Sequence, residues 1–145
     1  MKKILMTLAL CGALFMMAGC SSNTPTEVVK KAMDLSIKGD LKAYAELFVI
    51  VGKDGAELTP EEIEGFQKDV YKWEKRRREM TPEGEEVTGY EVLSEELSES
   101  GKYAKVVYKQ ILKRGKEEKE SWYLMKDEDG KWGLLLVGTD RLLKE

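Results

Sequence analysis

The spacing of apolar positions changes twice along this chain, and each change marks a different kind of segment. From Ile4 to Ala18 no charged residue appears, behind the short basic start Met1-Lys2-Lys3. From Val28 to Met80 the apolar residues recur at steps of three and four, and from Tyr90 onward they alternate. A basic start, an apolar run and then small residues form the layout of an export signal rather than of folded structure. The run is also shorter than the about 20 apolar residues that a membrane span needs.

The helical part carries its own punctuation. In Thr24-Pro25-Thr26-Glu27 the threonine suits an N-cap, the proline a first helical position and the glutamate a capping box. Val28, Val29, Ala32, Met33 and Leu35 then form an apolar stripe, and Gly39 is placed to end the helix in a left-handed cap. Asp40 reads as the cap of a second helix, in which Leu41, Tyr44, Leu47, Phe48 and Val51 share a face. Gly52-Lys53-Asp54-Gly55 reads as a loop. Thr59-Pro60-Glu61-Glu62 repeats the first start signature. The helix after it, the longest, places Ile63, Phe66, Val70, Trp73, Arg77 and Met80 on one stripe and ends at Thr81-Pro82-Glu83-Gly84.

Beyond Gly84 the alternation predicts four strands. The first runs from Tyr90 through Val92 toward Leu97. The second turns Ala104, Val106, Tyr108, Gln110 and Leu112 to one side, and Tyr103, Lys105, Val107, Lys109 and Ile111 to the other. Glu118 to Lys126 is the third and Trp132 to Thr139 the fourth, joined by Asp129-Gly130, a strong hairpin signal. Helices followed by a meander predict an α+β domain, with N-terminal helices packed on an antiparallel sheet of about four strands.

The residues closing the apolar run, Met17-Ala18-Gly19-Cys20, resemble the bacterial lipobox, although leucine is more usual at the Met17 position. The resemblance implies lipid on the Cys20 sulfur. The chain then divides into a signal peptide at 1–19, a lipid-anchored tether at 20–24 and one domain at 25–145. Ser21-Ser22-Asn23 spans only some 10–15 Å at about 3.3–3.6 Å per residue. Ser21 is not the aspartate often linked to inner-membrane retention, so the expected location is the outer membrane, facing the periplasm. Cys11 would be lost with the signal, leaving no thiol for a disulfide, zinc site or nucleophile.

Charge narrows the partners. Without Lys2 and Lys3 the 24 basic side chains fall to 22 against 27 acidic, a formal charge of −5. That sign opposes binding to nucleic acid or to anionic lipid, so the acyl chains alone are expected to hold the membrane. No histidine is present, which removes the commonest general base and metal ligand. No phosphate loop or metal-spaced cluster appears, and no cofactor is expected.

The order of elements resembles the nuclear-transport-factor-two-like superfamily, with its cone-shaped, cystatin-like fold, and within it a group of small bacterial lipoproteins. The likeness is carried by Thr24 through Lys30, Lys38-Gly39-Asp40-Leu41, Glu120-Ser121-Trp122-Tyr123-Leu124 and Asp129-Gly130-Lys131-Trp132. It implies a strongly curved sheet and a pocket inside the cone. It implies no one activity, because the superfamily includes isomerases, dehydratases and binding modules. Its enzymes often pair an aspartate with tyrosine or histidine; Asp40, Asp69, Tyr44, Tyr71 and Tyr108 are the residues available here.

Candidate pocket-lining residues are Tyr44, Phe66, Trp73, Arg77, Tyr108, Gln110 and Trp122. Gln110 stands out as a polar group among apolar ones on its strand face, and it needs a partner. The run Glu74-Lys75-Arg76-Arg77-Arg78-Glu79 reads as a solvated helix end, with Arg77 alone in register with the stripe. The charges from Lys116 to Glu120 read as protection of a sheet edge. The half-apolar face with Tyr103, Val107 and Ile111 suits a homodimer or partner interface. The expected function is a non-enzymatic module for a small apolar or anionic ligand or a protein partner. The rivals are an Asp–Tyr isomerase or dehydratase and a structural assembly module. A carboxylate buried beside a tyrosine hydroxyl in a deep pocket would favour the enzyme.

Overall fold

In the computed structural model residues 23–52 and 56–145 are described; the signal, Cys20 and Ser21-Ser22 lie outside the described residues. Helix α1, Pro25–Lys38, starts as its sequence requires. The Thr24 side chain accepts the Glu27 N–H, Pro25 occupies the first turn, and Gly39 closes the end at φ 89°. That left-handed conformation carries a steric cost for any residue with a Cβ. Val28, Val29, Ala32 and Met33 are buried against the sheet.

Helix α2, Leu41–Ala45, is shorter than its apolar period predicts. Asp40 caps it, accepting the Ala43 N–H at 3.3 Å. After Ala45 the chain extends instead of coiling. Leu47 O accepts Leu134 N–H and Leu134 O accepts Val49 N–H, both at 2.8 Å. Phe48 therefore lies as a parallel bridge beside Leu134. The close approach is permitted by Gly133, since a Cβ there would collide with Val49. Helix α3, Pro60–Met80, has the full capping box at Thr59 and Glu62. It packs chiefly on α2.

Four strands follow: β1 Val87–Leu97, β2 Tyr103–Leu112, β3 Glu117–Lys126 and β4 Trp132–Leu134. They form one antiparallel sheet in sequence order. Irregularities between Val87 and Gly89 and between Val92 and Ser94 interrupt the β1 register. Such bulges bend a strand and increase its twist. The α+β architecture expected from the sequence is present, with helices on one face of a four-stranded sheet.

The last strand is the second correction. It ends at Leu134 rather than Thr139. Leu135 still donates to Tyr123 O, but the chain then crosses to the outer face of the sheet. Gly138 packs on Tyr123, and the 3-10 helix Asp140–Lys144 is pinned there. Asp140 Oδ1 accepts from Lys105 Nζ at 2.8 Å and Tyr123 Oη at 2.5 Å. The chain's own C-terminus thus covers part of the face read as a dimer surface.

The core lies between α1, α2 and the inner sheet face. Val29, Ala32, Ala104, Val106, Leu124 and Leu134 are fully buried within it. Fully burying one large apolar side chain stabilises a fold by roughly 1.5–3 kcal/mol. Among the described residues the core is filled where α1 and α2 meet the sheet, and a space opens between the sheet and α3.

Candidate functional site

That space is a cleft of about 380 Å³ bounded by α3 and by the inner faces of β2 and β3. Its size falls near the lower end of the range of small-molecule sites, about 300–1,000 Å³. Strand alternation aims Tyr108 and Gln110 of β2, with Glu120 and Trp122 of β3, into one wall; Tyr108 lies opposite Glu120 in the register. Tyr44 of α2 and Phe48 form the floor. Phe48 stands edge-on to both Tyr44 and Trp122, with ring centroids 5.4 and 5.6 Å apart. Trp73 and Arg77 of α3 form the rim.

Six of the seven expected pocket residues meet here: Tyr44, Trp73, Arg77, Tyr108, Gln110 and Trp122. Phe66 does not. It lines a separate depression with Val49, Ile50, Leu58 and Leu135. The difference lies in the rotation of α3. Its buried positions are Val70, 3% exposed, and Glu74, 9%, four residues apart. The inward line therefore runs through 70 and 74, which leaves Trp73 54% exposed and Met80 70%.

Glu74 is the site residue that charge patterning concealed, because it sits at the head of a polar run. Its spacing of four from Val70 was the available sign. The carboxylate is held by a guanidinium fork: Arg77 Nε donates to Oε2 at 3.0 Å and Arg77 Nη2 donates to Oε1. Arg78 donates to Ser36 O at the end of α1, where a cation meets the negative end of the helix dipole. The run is therefore a docking device as well as a solvated end.

The polar groups of the wall are unevenly satisfied. Gln110 donates through Nε2 to Glu118 at 3.0 Å. Trp122 Nε1 is buried and has no hydrogen-bond partner among the described residues. Burial, and then the charge of Glu74, pushes the Tyr44 hydroxyl well above its usual range, with Arg77 opposing. The Tyr108 hydroxyl is pushed up to about 12 by burial and then by the charge of Glu120. The Trp122 indole works the other way on Tyr108, without reaching hydrogen-bond geometry. Both phenols hold their protons at neutral pH.

Asp40 is occupied as a helix cap and Asp69 is exposed on α3; neither lines the cleft. Tyr71 faces a different hollow, between α2 and α3. A groove of about 640 Å³ along α1 is larger than the cleft, but Lys30, Lys31, Lys38, Glu27 and Asp34 line much of it. No helix among the described residues is long and apolar enough to cross a membrane.

No protein-family model matches the sequence, and no curated protein matches it significantly. Among solved structures the chain is similar to a Campylobacter jejuni protein provisionally named an NTF2-like transpeptidase, at 16% identity and a TM-score of 0.58. The match covers 80% of this chain and 100% of that one. At that identity the likeness concerns the fold, which is NTF2-like.

Proposed function

We propose that this chain is a lipid-anchored protein of the bacterial envelope whose NTF2-like domain holds a small ligand without transforming it. The observation that carries the binding half is the Trp122 indole N–H, buried and without an acceptor in the wall of an aromatic cleft. A buried donor left unpaired costs about 1–3 kcal/mol, which a ligand acceptor or an ordered water relieves. The anchoring half is supported by the sequence layout that ends at Cys20.

The chain's chemistry argues for binding over turnover. Acyl transfer, as in the name of the Campylobacter protein, needs an activated nucleophile. The cleft offers the hydroxyls of Ser36, Tyr44 and Tyr108, but no histidine exists in the chain to activate them. A second reading has one observation in its favour: Glu74 is a buried carboxylate whose charge acts on the Tyr44 hydroxyl. An acid–base enzyme would use that pair. Against it, both Glu74 oxygens are engaged by Arg77, which leaves the carboxylate poorly placed to take a proton.

Native mass spectrometry of the protein extracted from membranes tests both halves. A diacylglyceryl adduct on Cys20 and a small molecule lost in Trp122→Phe are expected. An unmodified, soluble chain would refute the anchor, and an empty cleft the ligand. Chemical turnover of the released molecule, abolished by Tyr44→Phe, would favour the enzyme.

A further inference from the structure

The sign of charge inside the cleft follows from which groups are already committed. Of its charged lining residues, Arg77 is the one cation, and it is joined to Glu74. Its side chain is 59% exposed and leans outward at the rim. Glu120 is the second carboxylate of the lining and makes no ion pair among the described residues. One cation against two carboxylates leaves the cleft a net negative charge. Glu118 beside it does not share this role, since Gln110 and Lys116 occupy it.

The uncharged groups leave the sign to the carboxylates and supply hydrogen bonding of both kinds. Gln110 spends an amide N–H on Glu118, and its carbonyl oxygen makes no hydrogen bond among the described residues. The hydroxyl oxygens of Tyr44 and Tyr108 likewise retain lone pairs. As protonated hydroxyls they also donate, so beside Trp122 Nε1 the cleft offers both donors and acceptors to a polar ligand group. Around them stand the rings of Tyr44, Phe48, Tyr108 and Trp122, with edge-on contacts linking Phe48 to Tyr44 and Trp122. Aromatic faces carry negative potential and attract cations, most strongly at indole. An anion would meet two carboxylates against one guanidinium, two of whose N–H groups are held by Glu74.

We infer that the cleft takes a small organic cation, an amine or quaternary ammonium whose compact body also carries an oxygen acceptor for Trp122 Nε1, with Glu120 as its counter-charge. The inference rests on the small-ligand reading above and gives that ligand its chemical class. It departs from the apolar or anionic ligand expected from the sequence, because Arg77 is paired with Glu74 and Glu120 leaves the lining with a surplus negative charge.

Three probes of one shape separate charge from fit: choline, its neutral analogue 3,3-dimethylbutanol, and the anion 3,3-dimethylbutanoate. Each is titrated into the full-length lipidated chain in micelles, following the indole N–H resonances of Trp73 and Trp122 by NMR. Choline is expected to bind about tenfold more tightly than the alcohol, with the carboxylate weakest. Glu120→Gln, an exposed and fold-neutral change, is expected to bring choline down to the level of the alcohol while leaving the alcohol unchanged. Equal binding of choline and alcohol, a preference for the carboxylate, or a Glu120→Gln ratio equal to the parent's would each overturn the inference. Those results would leave the small-ligand reading standing, since the indoles would still respond. Silence of both indoles with all three probes overturns the cation and leaves ligand binding to be judged by co-purification.

Discussion

Helices α1 and α3 share a start signature almost letter for letter and dock in opposite ways. The shorter, α1, buries Val28, Val29, Ala32 and Met33 and lies on the sheet. The longer, α3, buries only Val70 and Glu74 and leans chiefly on α2. Caps and length decide that a helix forms; the side chains opposite decide how firmly it is held. In this fold the firmly held helix closes the core, and the loosely held one leaves a cleft beneath it.

The sharpest way to break this contrast is to truncate one side chain from each helix. Met33→Ala on α1 is expected to lower unfolding free energy by about 3 kcal/mol, measured by chemical denaturation. A loss below about 1 kcal/mol would mean that α1 is no better seated than α3. Next comes the polar latch. Arg77→Met strips Glu74 of its partner and is expected to cost about 2 kcal/mol, less than a fully buried pair because Arg77 reaches solvent. Adding Glu74→Met should recover most of that loss, since an apolar pair can replace a buried ionic one. If the double variant stays as unstable as the single, the latch is not what seats α3.

Alkaline titration probes the space between the two helices. Tyr108 titrates at about 12 when folded, against its ordinary 10.0, with burial the first cause and Glu120 the second. The unfolded chain releases that proton first, so this contribution is intact below about pH 10 and lost as pH rises toward 12. Denaturation across that window should show the decline, and Glu120→Gln should move the phenolate absorbance midpoint downward. The smallest effect is expected at Trp73→Ala, below about 1 kcal/mol, because the ring stands mostly in solvent. A larger loss would show that the rim of α3 carries more of the docking than its exposure implies.

What the sequence made legible was local. Thr24, Pro25 and Glu27, the Thr59 box, Gly39 and Asp129-Gly130 each act on neighbours within a few residues, so their pattern survives without tertiary context. The alternation of β2 likewise placed Tyr108 and Gln110 on the inner face. Three features depended on distant partners and were misread. Val49-Ile50-Val51 is a β-branched run, yet helical spacing in Leu41, Tyr44 and Phe48 masked it until Leu134 supplied a ladder partner. The last strand stopped because Asp140 found Lys105 and Tyr123 across the sheet. Glu74 was buried by a rotation of α3 that only its neighbours could set.

The clasp at the start of the domain has a directional consequence. Asn23 exchanges hydrogen bonds with Trp132, donating to its carbonyl at 3.3 Å and accepting its N–H. Thr26 donates to Glu95 close by. At the other end of the chain, Glu99 N–H reaches Leu143 O. Asn23, the first described residue, and the C-terminal residues therefore lie at one pole of the sheet, where β1 meets β2 and β3 meets β4. Tyr108 and Glu120 lie at mid-sheet, and Gln110 and Val87 lie toward the opposite pole, which α1 reaches after a rise of about 21 Å. On the anchorage proposed here, the short leash would hold the wrong end for hiding the cleft. The Gln110 and Val87 side of the cleft would then be the part farthest from the bilayer.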